Sequence, residues 1–180
     1  MDNEKFVAHF LENSIAEFTG VKALADKAMA QVSDQEFFTV IDAEANSIAV
    51  IVKHVAGNLY SRWTDFLGSD GEKPTRNRDS EFEIQNESRE AIISLWEGGW
   101  GVLFDTLRGL SATDVMNATV VIRSEPHTVV QAIQRQLTHY ADHAGQIILL
   151  AKHFRSSEWQ TLSIARNRSS DFNRSKGHSI

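Results

Sequence analysis

Val129-Val130-Gln131-Ala132-Ile133-Gln134-Arg135-Gln136-Leu137-Thr138-His139-Tyr140-Ala141-Asp142-His143-Ala144-Gly145-Gln146-Ile147-Ile148-Leu149-Leu150-Ala151-Lys152-His153-Phe154 is the stretch whose pattern decides the fold. Val130, Ile133, Leu137, Tyr140, Ala144, Ile147 and Ala151 recur at steps of three and four. That is the period of a helix with one buried stripe. Pro126 stands where a helix tolerates proline, in its first turn. The spacing predicts a helix from about Pro126 to Phe154.

Outward from it, three more segments share the period. The first runs from about Asn3 to Val32 through Phe6, Phe10, Ser14, Phe18, Val21 and Ala25. The second runs from about Asn46 to Leu67, with Ile48, Val52, Val55, Leu59, Trp63 and Phe66 on one face. Asn46 or Ser47 can cap it, and Gly68 can end it. The third spans roughly Glu87 to Leu110, with Ile92, Leu95, Trp96, Leu103 and Leu107 facing inward. Gly98, Gly99 and Gly101 interrupt it, as a close helix approach or a hinge. Phe37 to Asp42 reads as a packed connector, Ser111 to Asp114 as a turn, and Ala118 to Ile122 as a short extended piece. The pattern predicts an all-α four-helix bundle over residues 1–165. Residues 166–180 carry four basic groups and one acid, a net of +3, and read as an irregular basic tail. The breaker-rich connection from Gly68 to Ser80 is long enough to cross the bundle, which would set helices two and three parallel.

Composition narrows the chemistry. The chain has 180 residues, the size of one domain. No apolar run approaches the ~18 residues that a membrane-spanning helix needs. Met1-Asp2-Asn3-Glu4-Lys5 shows no secretory h-region, so a cytoplasmic protein is expected. Cysteine is absent, which excludes disulfides, thiolate metal sites and a thiol nucleophile of the protein's own. Eighteen basic and twenty-four acidic groups leave a net charge of −6, which speaks against nucleic acid as a partner. Two prolines in the whole chain permit long helices.

Seven histidines remain as the chemical resource. His139 and His143 lie one helical turn apart, on the flank of the stripe. His54 occupies the equivalent flank of the second helix, in line with Ile51, Asn58 and Asp65. A shared divalent metal would satisfy all three imidazoles and leave coordination positions open. Equally, three boundary histidines can be satisfied by water or carbonyl groups. His9, His127, His153 and His178 lack a partner pattern and read as solvated.

Three stretches resemble the DinB-like superfamily of metal-binding four-helix bundles, and more closely a bacterial subgroup of unknown function. Ser47 to Asn58 is similar to that family's second helix, and Arg135 to Ile147 to its fourth. Trp63 to Leu67, with Asp70 to Pro74 and Arg76 to Asp79, resembles the subgroup's helix exit and long loop. The resemblance covers about residues 3 to 165. It implies an up-down-down-up bundle, a metal triad of His54, His139 and His143, and a homodimer. Asp142, between the two histidines, is not a ligand in that pattern.

Related branches include metal-dependent transferases of low-molecular-weight thiols. Zinc and nickel both suit imidazole ligands, and the resemblance implies a low-molecular-weight thiol cosubstrate and a small electrophile. Asn58, Arg62, Gln136 and Gln146 share the flanks and are candidates to support the metal or contact substrate. Arg76 and Arg78 can hold a substrate carboxylate, or else pair with Asp70, Glu72 or Asp79. A metal-dependent hydrolase is the alternative, although no general base is evident near the triad. A non-enzymatic metal-binding or stress-response module is a further one.

Overall fold

The computed structural model describes residues 2–177. The described residues are mostly helical, with one small antiparallel hairpin among them. Four long helices carry it: α1 (Asn3–Met29), α3 (Ile48–Trp63), α4 (Arg89–Gly109) and α6 (Val129–Arg155). Three short ones, α2 (Asp34–Phe38), α5 (Ala112–Asn117) and α7 (Ser169–Ser175), lie between or after them. Strands β1 (Thr119–Ile122) and β2 (Glu125–Thr128) form the hairpin. His178 lies outside the described residues. Among the described residues, no helix is long and apolar enough to cross a membrane.

Each long helix contributes one ring to a shared aromatic core. Phe18 of α1 meets Trp63 of α3 with ring centroids 6.0 Å apart, Trp100 of α4 at 6.2 Å and Tyr140 of α6 at 6.0 Å. Trp100 and Tyr140 stand 5.5 Å apart. These rings are buried, as the helical stripes require. The Tyr140 hydroxyl accepts from Trp63 Nε1 at 3.1 Å and donates to Asn58 Oδ1 at 3.0 Å, so these three polar tips satisfy one another, while Trp100 Nε1 is buried without a partner. Helix α3 packs on α4, and α1 on α6.

The short elements depart from the sequence reading for identifiable reasons. Ser33 and Glu36 form a capping box that starts α2, and Ser111 with Asp114 does the same for α5. Phe37 is therefore a buried helical residue rather than part of a connector, and Ser111 opens a helix rather than a turn. Helix α3 ends at Trp63, and Asp65, not Gly68, takes the left-handed conformation with φ 48°. Pro126 sits in β2 opposite Val121, and α6 starts three residues later on a Thr128–Gln131 capping box. Two residues, Arg123 and Ser124, turn the hairpin with φ 53° and 64°. This is the primed turn that matches strand twist, formed without its usual Asn-Gly signal. Asp70 makes it possible: its carboxylate accepts from the Arg123 and Ser124 backbone N–H groups at 2.8 and 2.7 Å. Leu95, expected to face inward, is 44% exposed. In the segment expected to be irregular, Ser169–Ser175 form the short helix α7 with no buried residue.

The long connection is folded back on α3. Ser61 Oγ donates to the Gly71 carbonyl at 2.7 Å, and Gly71 N–H donates to the Val121 carbonyl at 2.8 Å. A 3-10 turn at Asp79–Phe82 then lies against α3. Lys53 Nζ donates to the Glu83 carbonyl at 2.7 Å and pairs with Glu87, just before α4. Thr106 Oγ1, near the end of α4, donates to the Trp63 carbonyl at 3.0 Å.

Candidate metal centre

Three histidines from two helices converge. One nitrogen from each of His54, His139 and His143 lies within 4.8 Å of the others. Ring centroids are 5.7 Å apart for His54 and His139, 5.1 Å for His54 and His143, and 4.7 Å for His139 and His143. Nε2 of His139 and Nε2 of His143 are 3.1 Å apart. Two imidazole nitrogens at that distance need a proton or a cation between them. The gap is close to the roughly 3.3 Å that two such nitrogens span on one tetrahedral zinc ion.

The imidazoles are oriented from behind. His54 is buried, and its Nδ1–H donates to Glu81 Oε2 at 2.9 Å. That bond leaves Nε2 with its lone pair free for the shared space. Phe82 lies against the His54 ring with centroids 4.9 Å apart. His143 Nδ1–H donates to Gln146 Oε1 at 3.1 Å, again leaving Nε2 for the site. Burial, then the neighbouring charges of His143, His54, Arg62 and Arg76, pushes the His139 pKa down to about 3. Burial also lowers that of His143. Both shifts favour the neutral ring, the form that ligates a cation. The three side chains can hold a metal ion.

Glu81 is the residue that sequence reasoning missed. It sits on the 3-10 turn of the long connection and is 6% exposed. Arg76 grips it with two bonds, Nε to Oε1 at 2.7 Å and Nη2 to Oε2 at 2.8 Å. Burial raises its pKa, but the hydrogen bonds from His54 and Arg76 outweigh that and hold it below the usual range. A Cβ on Gly57 would lie 2.2 Å from Glu81 Oε1, so a glycine is required there for the carboxylate to reach His54. With three hydrogen bonds already accepted, Glu81 orients its partners rather than abstracting protons. Only its position on the one long loop pointed to it, because no spacing rule links it to His54.

The other expected residues divide. Asn58, Arg62, Gln136, Arg76 and Arg78 line a cavity of about 340 Å³ beside His54 and His139. Asn58 is engaged by the Tyr140 hydroxyl. Arg62 is buried, donates to the Gly71 carbonyl, and pairs with Glu72 at 3.0 Å. Arg76 is committed to Glu81 and Glu72, the acid-pairing alternative, although Glu81 was not among the acids considered. Gln146 does not line the cavity but supports His143. Asp142 is exposed. Arg123 and Arg135 also line the cavity, brought by the hairpin turn and the outer side of α6, and no spacing in the chain groups them with it.

No curated protein and no solved structure matches the chain. Residues 5–168 match the family described as Protein of unknown function (DUF1572), and the chain belongs to that family.

Proposed function

We propose that the protein is a divalent-metal-dependent enzyme of the DinB-like type that transfers a low-molecular-weight thiol to an electrophilic small molecule. The observation that carries this reading is the convergence of three imidazoles, two of them held from behind by Glu81 and Gln146, beside a cavity of about 340 Å³. Three protein ligands leave a position for a small molecule, the arrangement of catalytic rather than closed sites. The up-down-down-up bundle is part of the same proposal. Its support is the order of contacts between α3 and α4: Lys53 with Glu87, Leu59 with Gly99, Trp63 with Thr106. The contacts advance in the same direction along both helices, as parallel neighbours require.

A bound zinc or nickel ion, both suited to imidazole, would supply a Lewis acid that lowers the pKa of a thiol. The chain's own residues orient the site: Glu81 sets the His54 tautomer and Gln146 sets that of His143. The thiol loses its proton to solvent, its sulfur forms the new C–S bond, and the leaving group departs with the bonding pair. The sulfur must come from the cosubstrate, since the chain has no cysteine. Hydrolysis is less well supported, because Glu81, the carboxylate bonded to His54, is already occupied. A cytoplasmic homodimer completes the proposal, with the net charge of −6 supporting small molecules over nucleic acid.

Elemental analysis of the purified protein tests the metal, with about one zinc or nickel per chain expected. Metal-loaded wild type and His54→Ala are then assayed with several biological thiols and a chromogenic electrophile. Equal rates in the two proteins overturn the reading.

A further inference from the structure

The cavity beside His54 and His139 is strongly cationic. Arg62, Arg76, Arg78, Arg123 and Arg135 all line it, in a chain whose net charge is −6. The carboxylates hydrogen-bonded to these guanidinium groups are Glu72 and Glu81. Five positive charges against two leave 5 − 2 = +3 around the opening. Arg78 and Arg135 are exposed, and neither has a carboxylate partner among the described residues; Arg78 lies over the Phe82 ring at 4.8 Å. An independent observation comes from inside. Arg62 and Gln136, 6% and 4% exposed, each keep a buried polar atom without a partner: Arg62 Nε and Gln136 Oε1. Buried polar atoms are almost always answered by protein, water or ligand.

We infer that this cavity binds a small molecule through an oxyanion, a carboxylate or a phosphate group. Arg78 and Arg135 supply the charge, Arg62 Nε–H donates, and Gln136 Oε1 accepts from a hydroxyl or amine next to the anionic group. The inference names the substrate class for the enzyme proposed above, and it rests on that reading only for the reacting end of the molecule. A volume of about 340 Å³ suits a small metabolite. Guanidinium groups recognise carboxylate and phosphate by the same forked geometry.

Isothermal titration calorimetry of the full chain, zinc-loaded and again after chelation, tests the inference with inorganic phosphate and lactate as probes. Saturable binding of one probe to the chelated protein is expected. It weakens about tenfold or more in the Arg78→Gln/Arg135→Gln double variant, and it weakens as salt is raised. Arg108→Gln, an exposed arginine paired with Asp105 on α4, binds as wild type does. Preference for phosphate or for lactate tells which oxyanion the site reads, and either supports the inference. Absence of saturable binding overturns it. So does binding that needs zinc and ignores both arginines, since the ion alone then holds the anion. A protein that transfers thiols yet binds neither probe overturns this inference and leaves the proposed function standing. Arginine-dependent binding in a protein that takes up no metal does the reverse.

Discussion

Glu81 accepts one hydrogen bond from His54 and two from Arg76 in a place that water barely reaches. Removing it leaves the Arg76 charge, whose side chain is 5% exposed, with only its longer 3.4 Å contacts to Glu72. Glu81→Ala is expected to destabilise the fold by about 3 kcal/mol, read as a lower urea midpoint. A loss below about 1 kcal/mol would mean that water already shares the pair. Glu81→Gln keeps the volume but weakens the acceptor that fixes the His54 tautomer. Zinc affinity, measured by competition with a chromogenic chelator, is expected to fall about 10- to 100-fold. Gly57→Ala should lower the affinity in the same direction, because its Cβ would meet Glu81 Oε1 at 2.2 Å. Unchanged zinc binding in both variants would remove Glu81 from the site.

The α3–α4 pair separates three glycines that look alike in sequence. A Cβ on Gly98 would lie 2.0 Å from Tyr60 Oη, and one on Gly99 would lie 2.9 Å from Leu59 Cβ; nothing lies within 4 Å of one on Gly101. Gly101 is exposed in a helix interior, so Gly101→Ala should stabilise by about 1 kcal/mol, the propensity difference alone. Gly99→Ala should destabilise, since backbone and Leu59 must part. Thermal unfolding of the two variants, with shifts of opposite sign, checks both. The start of α4 is held by the Lys53–Glu87 pair, and the hydrogen bond from Lys53 drives the Glu87 pKa down from 4.5 to about 2. A depressed carboxyl contributes stability that is present above pH 4.5 and lost as pH falls through about 2. Glu87→Gln should therefore flatten the acid limb of the stability curve in that window. An unchanged slope would show the pair to be idle.

Across the whole molecule, the long connection is tied to elements far away in sequence. Asp70 holds the hairpin turn at Arg123 and Ser124, Gly71 bonds Val121, and Glu81, gripped by Arg76, reaches back to His54 on α3. One loop thus couples the hairpin, the cavity wall and the support of His54. Asp70→Ala should cost about 1 to 3 kcal/mol and open the connection to limited proteolysis. Equal cleavage rates in variant and wild type would show that the turn stands without it. Ion binding stabilises only the folded state, so zinc at about 100 times its Kd should add about 2.7 kcal/mol, and chelation should lower Tm. A Tm indifferent to zinc would leave the three imidazoles without an ion.

Much of this was legible in the chain because it is local. A buried stripe repeats every three to four residues, so the four long helices follow from periodicity whatever surrounds them. The placement of His139 and His143 on one turn follows from the same geometry, and His54 from its position on the flank of α3. Two of the short helices, α2 and α5, are also written locally, in a Ser-x-x-Glu and a Ser-x-x-Asp box. The rest was decided by contacts between residues distant in sequence. Pro126 became a strand residue because Asp70, more than fifty positions earlier, stabilises a turn at Arg123 and Ser124 that those side chains would not favour alone. Glu81 became the partner of His54 because a long loop folds back over Gly57, where the missing side chain leaves room. Periodicity determined the four long helices and set each of the three imidazoles on a helix flank. Only the tertiary structure, by bringing loop, hairpin and helix flank to one opening, decided what surrounds them.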